Sequence, residues 1–127
     1  MVKHVQIRRA YEAPDAGDGF RVFVDRLWPR GLSKEDFKFD LWCKDLAPSP
    51  ALRTWFGHKV EHWEGFQENY QQELRTPEQR KLMREVAEQA DGATITLVYG
   101  AKDTQHNHAL ILAEEMNRVL KAKPRKS

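Results

Sequence analysis

The sequence predicts an α/β domain, with a small, mostly parallel or mixed sheet of three to four strands packed by about four helices. Three observations carry this. Residues 20–26 and 93–99 are short apolar runs bounded by glycine or proline, as in strands buried on both faces. The stretches 60–90 and 104–120 repeat apolar residues at helical spacings of three and four. Strands separated by helices, if they are neighbours, should lie parallel through a right-handed crossover.

The elements follow in order. Lys3 to Arg9 sets Val5 and Ile7 against His4, Gln6 and Arg8, the alternation of a half-buried first strand. Pro14, Asp15, Gly17, Asp18 and Gly19 form a loop that can turn the chain back, so antiparallel pairing with the next strand is the simplest arrangement. In the second strand Val22 and Val24 alternate with Phe23, leaving neither face wet, and Pro29 and Gly31 stop it. Residues 37–44 alternate again, Phe37, Phe39, Leu41 and Cys43 against Lys38, Asp40, Trp42 and Lys44. They make either a short third strand or an extended crossing segment.

Ser49-Pro50 reads as an N-cap followed by proline in the first helical turn, opening a short helix with Leu52, Trp55 and Phe56 that Gly57 interrupts. Trp63, Phe66, Tyr70 and Leu74 then form the apolar stripe of a second helix. Thr76-Pro-Glu-Gln79 has the form of a capping box for a third, closed by Asp91-Gly92. After the strand Ala93–Tyr99 and the turn Gly100–Asp103, the last helix is expected from about Thr104, with Ala109, Leu112, Ala113, Met116 and Leu120 inward.

The chain of 127 residues suits one domain over 1–120 and a basic, frayed tail over 121–127. With 40% apolar and 31% charged residues the composition is that of a soluble globular protein. No apolar run approaches the roughly 20 residues that span a bilayer, and the N-terminus lacks the apolar core of a secretion signal. Cys43 is the single cysteine, which excludes an internal disulfide and suits a reducing cytoplasm. Lys121, Lys123, Arg125 and Lys126 exceed the whole net charge of +2, so the remainder stands near −2 and makes no case for a nucleic-acid-binding domain.

If strands 20–26 and 93–99 are parallel neighbours, their C-terminal ends share one edge, where ligands of open α/β sheets bind. One loop brings Asp25, Arg26, Trp28 and Arg30 there. The other brings Tyr99, Lys102, Asp103, His106, Asn107 and His108 and feeds a helix N-terminus, which favours an anion. Arg26, Arg30 and Lys102 would hold a phosphate or carboxylate, Trp28 would wall the pocket, and His106 or Asp25 would move a proton. Tyr99, Asn107, His108 and Lys44 complete the expected lining. The competing account is an ion-pair network with Asp25 and Asp103 that only orders the loops.

On a helix, His106 and His108 would point about 200° apart and share no ligand atom. His58 and His62 have the i, i+4 spacing of a chelating pair, but Gly57 interrupts the helix and the zinc-protease glutamate is missing, so surface histidines and no metal are expected. Cys43, Trp55, Trp63 and Phe66 read as core packing. Neither a P-loop nor a dinucleotide fingerprint is present, and the sequence names no cofactor.

Val24-Asp-Arg-Leu-Trp-Pro-Arg-Gly31, Trp42-Cys-Lys-Asp-Leu-Ala-Pro-Ser49, Leu52-Arg-Thr-Trp-Phe-Gly-His58 and Leu97-Val-Tyr-Gly-Ala-Lys-Asp103, followed by His106-Asn-His-Ala109, resemble the YeaO-like family, small bacterial proteins classed as a domain of unknown function. The resemblance implies a compact cytoplasmic α/β domain and no particular reaction. Longer relatives carry Cys-His-Arg where this chain has His106-Asn107-His108, so a thiol mechanism there would lack its cysteine here. Three functions stay open: an enzyme acting on an anionic metabolite, a ligand-binding or sensor module using the same pocket without turnover, and a nucleic-acid accessory protein.

Overall fold

The computed structural model describes residues 4–121. Its four strands are β1 (Val5–Arg9), β2 (Phe20–Phe23), β3 (Leu41–Trp42) and β4 (Ile95–Tyr99). Its α-helices are α1 (Pro50–Phe56), α2 (Trp63–Leu74), α3 (Pro77–Ala90) and α4 (His108–Lys121). All three strand pairings are parallel, in the order β1-β4-β2-β3. The basic tail beyond Lys121 lies outside the described residues.

The order corrects one expectation. β1 and β2 are not an antiparallel pair; β4 lies between them, in register Ile7↔Leu97 on one side and Val22↔Leu97 on the other. Every residue of β4 is buried, and such a strand belongs at the centre of a sheet. The ten residues from Ala10 to Gly19 reach up to about 33 Å when extended, enough to carry the chain back past a five-residue strand.

The two sheet faces are covered differently. Val5, Val22, Val24, Ile95, Leu97 and Tyr99 pack with residues of all four helices in the main core. The opposite face has no helix in its cluster: Phe23, Val98 and Ala10 meet Phe37, with Trp28, Leu32, Phe39 and Trp42 around them. Irregular chain between β2 and β3 thus forms the second cover, held by aromatic contacts such as Phe23–Phe37 at 4.9 Å.

This cover breaks the even alternation expected over 37–44. Only Leu41 and Trp42 pair as strand, and Trp42 joins Phe37 and Phe39, while Leu41 and Cys43 enter the main core. The segment enters the sheet too late for a period of two to hold along its length.

The helix caps agree with the sequence. Ser49 Oγ accepts from Leu52 N–H, and Gly57 ends α1 in the left-handed region at φ 51°. Thr76 Oγ1 accepts from Gln79 N–H at the start of α3. The last helix begins at His108 rather than Thr104, because Asp103 folds residues 103–107 into a turn of their own.

Candidate functional site

β2 and β4 run level, Phe23 beside Val98, and the ladder continues one step further through Val24 N–H to the Val98 carbonyl at 3.0 Å. Both chains then leave the sheet at one edge. Asp25 stitches the departing loops together: its Oδ2 accepts from Gly100 N–H at 2.9 Å. A β-carbon on Gly100 would come within 3.1 Å of that oxygen, so the absent side chain permits the close approach.

The start of α4 is fastened to the same place. His108 Nε2 lies 3.1 Å from the Val24 carbonyl and 3.2 Å from Asp25 Oδ1. Asn107, 2% exposed, caps α4 by accepting Leu110 N–H on Oδ1 and donates from Nδ2 to the Asp103 carbonyl. Arg26 Nε donates to the Pro48 carbonyl at 3.1 Å, bringing the approach to α1 against the loop after β2.

Between these parts lies a cavity of about 480 Å³. Its cationic lining is Arg26, Arg30 and Arg53, joined by the imidazoles of His58, His106 and His108; its single carboxylate is Asp25. Ala47, Pro48, Phe56, Phe66 and Leu27 contribute apolar surface. Among the described residues no carboxylate lies within ion-pairing distance of Arg26, Arg30 or Arg53. The carboxylates that were to neutralise this region are engaged otherwise, Asp25 with Gly100 and His108, Asp103 with His106.

Asp103 is built around its neighbours. Its Oδ1 accepts from the N–H groups of Gln105 at 2.8 Å and His106 at 3.1 Å, and its Oδ2 meets His106 Nδ1 at 3.0 Å. The Gln105 N–H, followed by the His106 side chain, holds this carboxyl below the usual aspartate range. An ionised carboxylate at Nδ1 fixes the proton there and leaves the Nε2 lone pair of neutral His106 free. Trp63 braces the ring edge-on, with centroids 5.3 Å apart.

The cavity unites Asp25, Arg26, Arg30, His106, Asn107 and His108, as the sequence proposed. Both histidines reach it because His106 precedes α4, so the helical angle between them does not apply. Four proposed lining residues lie elsewhere. Trp28 turns its indole N–H to the Leu32 carbonyl at 2.6 Å and packs with the aromatic cover; the Lys44 ammonium sits 4.3 Å over the Trp42 ring. Tyr99 is buried in the main core, and exposed Lys102 is not part of the lining.

Sequence reasoning missed Arg53, Phe56, His58 and Phe66. The phase of α1, with Leu52 and Phe56 buried, put Arg53 on another side of the helix, but nothing local said what that side faced. His58 and His62 do not converge: His58 lines the cavity, while His62 stacks on Trp55 at 4.2 Å and contacts the Trp55 carbonyl through Nδ1. Cys43 is buried, and burial pushes its thiol above the usual range, as suits a core residue rather than a nucleophile.

Comparison with known proteins gives a consistent family. The family described as the inactive DUF488-N3 subclade matches residues 4–127. The uncharacterized protein YeaO of Escherichia coli (strain K12) is 41% identical over 111 residues, covering 87% of this chain and 95% of that protein. The uncharacterized protein Rv3073c of Mycobacterium tuberculosis (strain ATCC 25618 / H37Rv) is 37% identical over 119 residues, covering 92% of this chain and 98% of that protein. No solved structure matches. With its loops, caps and cavity residues falling inside these matches, the chain belongs to the YeaO-like family.

Proposed function

We propose that this protein binds a small anionic metabolite, a phosphate or nucleotide, in the cavity at the C-terminal ends of β2 and β4, and that it works in the cytoplasm. The observation that carries the reading is the set of three arginines without a carboxylate partner around one concave site. Guanidinium groups present paired donors that match phosphate and carboxylate oxygens. The start of α4 at the cavity wall adds its dipole in the same sense. Description of the family as an inactive subclade favours holding the ligand over transforming it. The single cysteine and the absence, among the described residues, of a helix long and apolar enough to cross a membrane are compatible with a cytoplasmic setting.

One observation keeps catalysis as a second reading. Asp103 and His106 form an oriented carboxylate–imidazole pair whose free nitrogen belongs to a cavity-lining ring. Asp25 suits proton transfer less, since one oxygen is held by Gly100 and the other is turned to His108. A nucleic-acid accessory role loses the aromatic surface invoked for it, because Trp28 and Trp42 pack in the sheet cover and Trp55 stacks on His62.

Thermal unfolding of the full chain against inorganic phosphate and nucleoside monophosphates tests both readings. A ligand at one hundred times its Kd adds about 2.7 kcal/mol, a rise of several degrees in Tm for a domain of this size. Arg26→Ala with Arg53→Ala should remove the rise, and no rise across the panel would sink the anion site. Mass spectrometry of the incubated nucleotide separates binding from turnover. A product that His106→Gln abolishes, with the thermal shift retained, would establish catalysis; an unaltered nucleotide leaves binding alone.

A further inference from the structure

The cavity is two-sided in its chemistry, and a bare anion answers only one side. Arg26, Arg30 and Arg53 account for charge, but Phe56 and Phe66 form an apolar floor, stacked with ring centroids 4.5 Å apart. Leu27 also belongs to the lining, although 65% of its surface is open to water. It lies directly after Arg26, so one short loop presents a guanidinium and an uncovered aliphatic group to the same space. A volume of about 480 Å³ falls in the range that holds a whole small organic molecule.

His58 supplies an independent sign. It follows Gly57 at φ 51° and is itself left-handed at φ 60°, a conformation that costs a residue with a β-carbon but not glycine. Its ring centroid lies 5.9 Å from that of Phe56, and the side chain lines the cavity. Glycine would fit this backbone with less strain. An imidazole kept there is explained by something for the ring to touch.

We infer that the ligand is a phosphomonoester carrying a flat ring, of the mononucleotide class, with Leu27 and His58 contacting the ring and the arginines holding the phosphate. The inference rests on the anion-binding reading above and adds the ring to it.

Calorimetric titration of the full chain with inorganic phosphate, ribose 5-phosphate and adenosine 5′-monophosphate tests it. Stacking and burial of a base predict that the nucleotide binds about tenfold or more tightly than the sugar phosphate. Equal affinities would overturn the ring site and leave the anion site standing. Binding of none of the three would overturn both. Leu27→Ser, at an exposed position, should weaken the nucleotide about tenfold while changing ribose 5-phosphate by less than about threefold. An equal loss for both ligands, or no loss, would remove Leu27 from the ring contact. His58→Gly should raise the Tm of the free protein yet weaken the nucleotide; a raised Tm with unchanged nucleotide affinity would show that the imidazole touches no ring.

Discussion

Asp18 sits at the edge of the sheet opposite the cavity and is only 1% exposed. Its oxygens accept from Arg8 Nε at 2.9 Å, Arg21 at 2.5 Å and Asp15 N–H at 3.1 Å, and its carbonyl accepts from Thr96 Oγ1 at 2.7 Å. Burial alone would raise this carboxyl, but the hydrogen bonds from Asp15, Arg21 and Arg8 outweigh it and hold it below the usual range. Asp18→Asn should therefore destabilise the protein by about 3 kcal/mol at neutral pH, since a buried guanidinium loses its counter-charge. Because the folded value is depressed, that stability is complete above the unfolded value of about 3.9 and fades as pH falls through the folded one. Urea unfolding of both proteins across this range checks it, and a gap that stays constant down to pH 2 would be inconsistent with ionisation as the cause. The sequence marked Asp18 only as a loop residue. Its partners come from two different strands, which no local pattern brings together.

Among the elements, β1 forms one edge of the sheet, and an edge exposes a row of backbone groups to pairing with another chain. Ile95 N–H donates to the His4 carbonyl, so the outward-facing groups of β1 are those of Val5, Ile7 and Arg9. Asn117 on α4 closes the first position, accepting Val5 N–H at 3.0 Å and donating to the Val5 carbonyl at 3.2 Å. Glu12 closes the last: its carboxylate accepts Arg9 N–H at 2.9 Å, and its own N–H donates to the Arg9 carbonyl at 3.1 Å. Only Ile7 stands between the two seals. Replacing both, Asn117→Leu with Glu12→Ala, should cost about 1 kcal/mol per lost pair and increase self-association at equal concentration. Light scattering would detect the change, and scattering equal to that of the parent chain would place the protection elsewhere. Most elements could be read directly: β4 from its unbroken apolar run, and α1 and α3 from Ser49 and Thr76. The partner of β1 could not, because alternation identifies a strand's buried face and not its neighbour.

For the whole molecule, the order β1-β4-β2-β3 is what makes a site. It sets β2 and β4 side by side and parallel, so the loops holding Arg26 and His106 leave from one edge although about eighty residues separate them. β4 pairs on both sides, and its five residues are all buried. Its amides should accordingly exchange with solvent only through global unfolding, while those of the seven-residue α1 exchange through local opening. Native-state hydrogen exchange measures this directly. Exchange in β4 as fast as in α1 would contradict a sheet organised around that strand.

The amino-acid order alone determined the class of fold, most element types, the caps, the family kinship and the residues of two loops able to bind an anion. These are properties of neighbouring residues: apolar period, turn chemistry and charge within a few positions. The tertiary structure decided that Arg53 and His58 join the cavity and that Trp28, Lys44, Tyr99 and Lys102 do not. It also decided that β4 separates β1 from β2. Such outcomes depend on which apolar surfaces pack together, and packing joins residues by proximity in space, which short-range spacing does not encode.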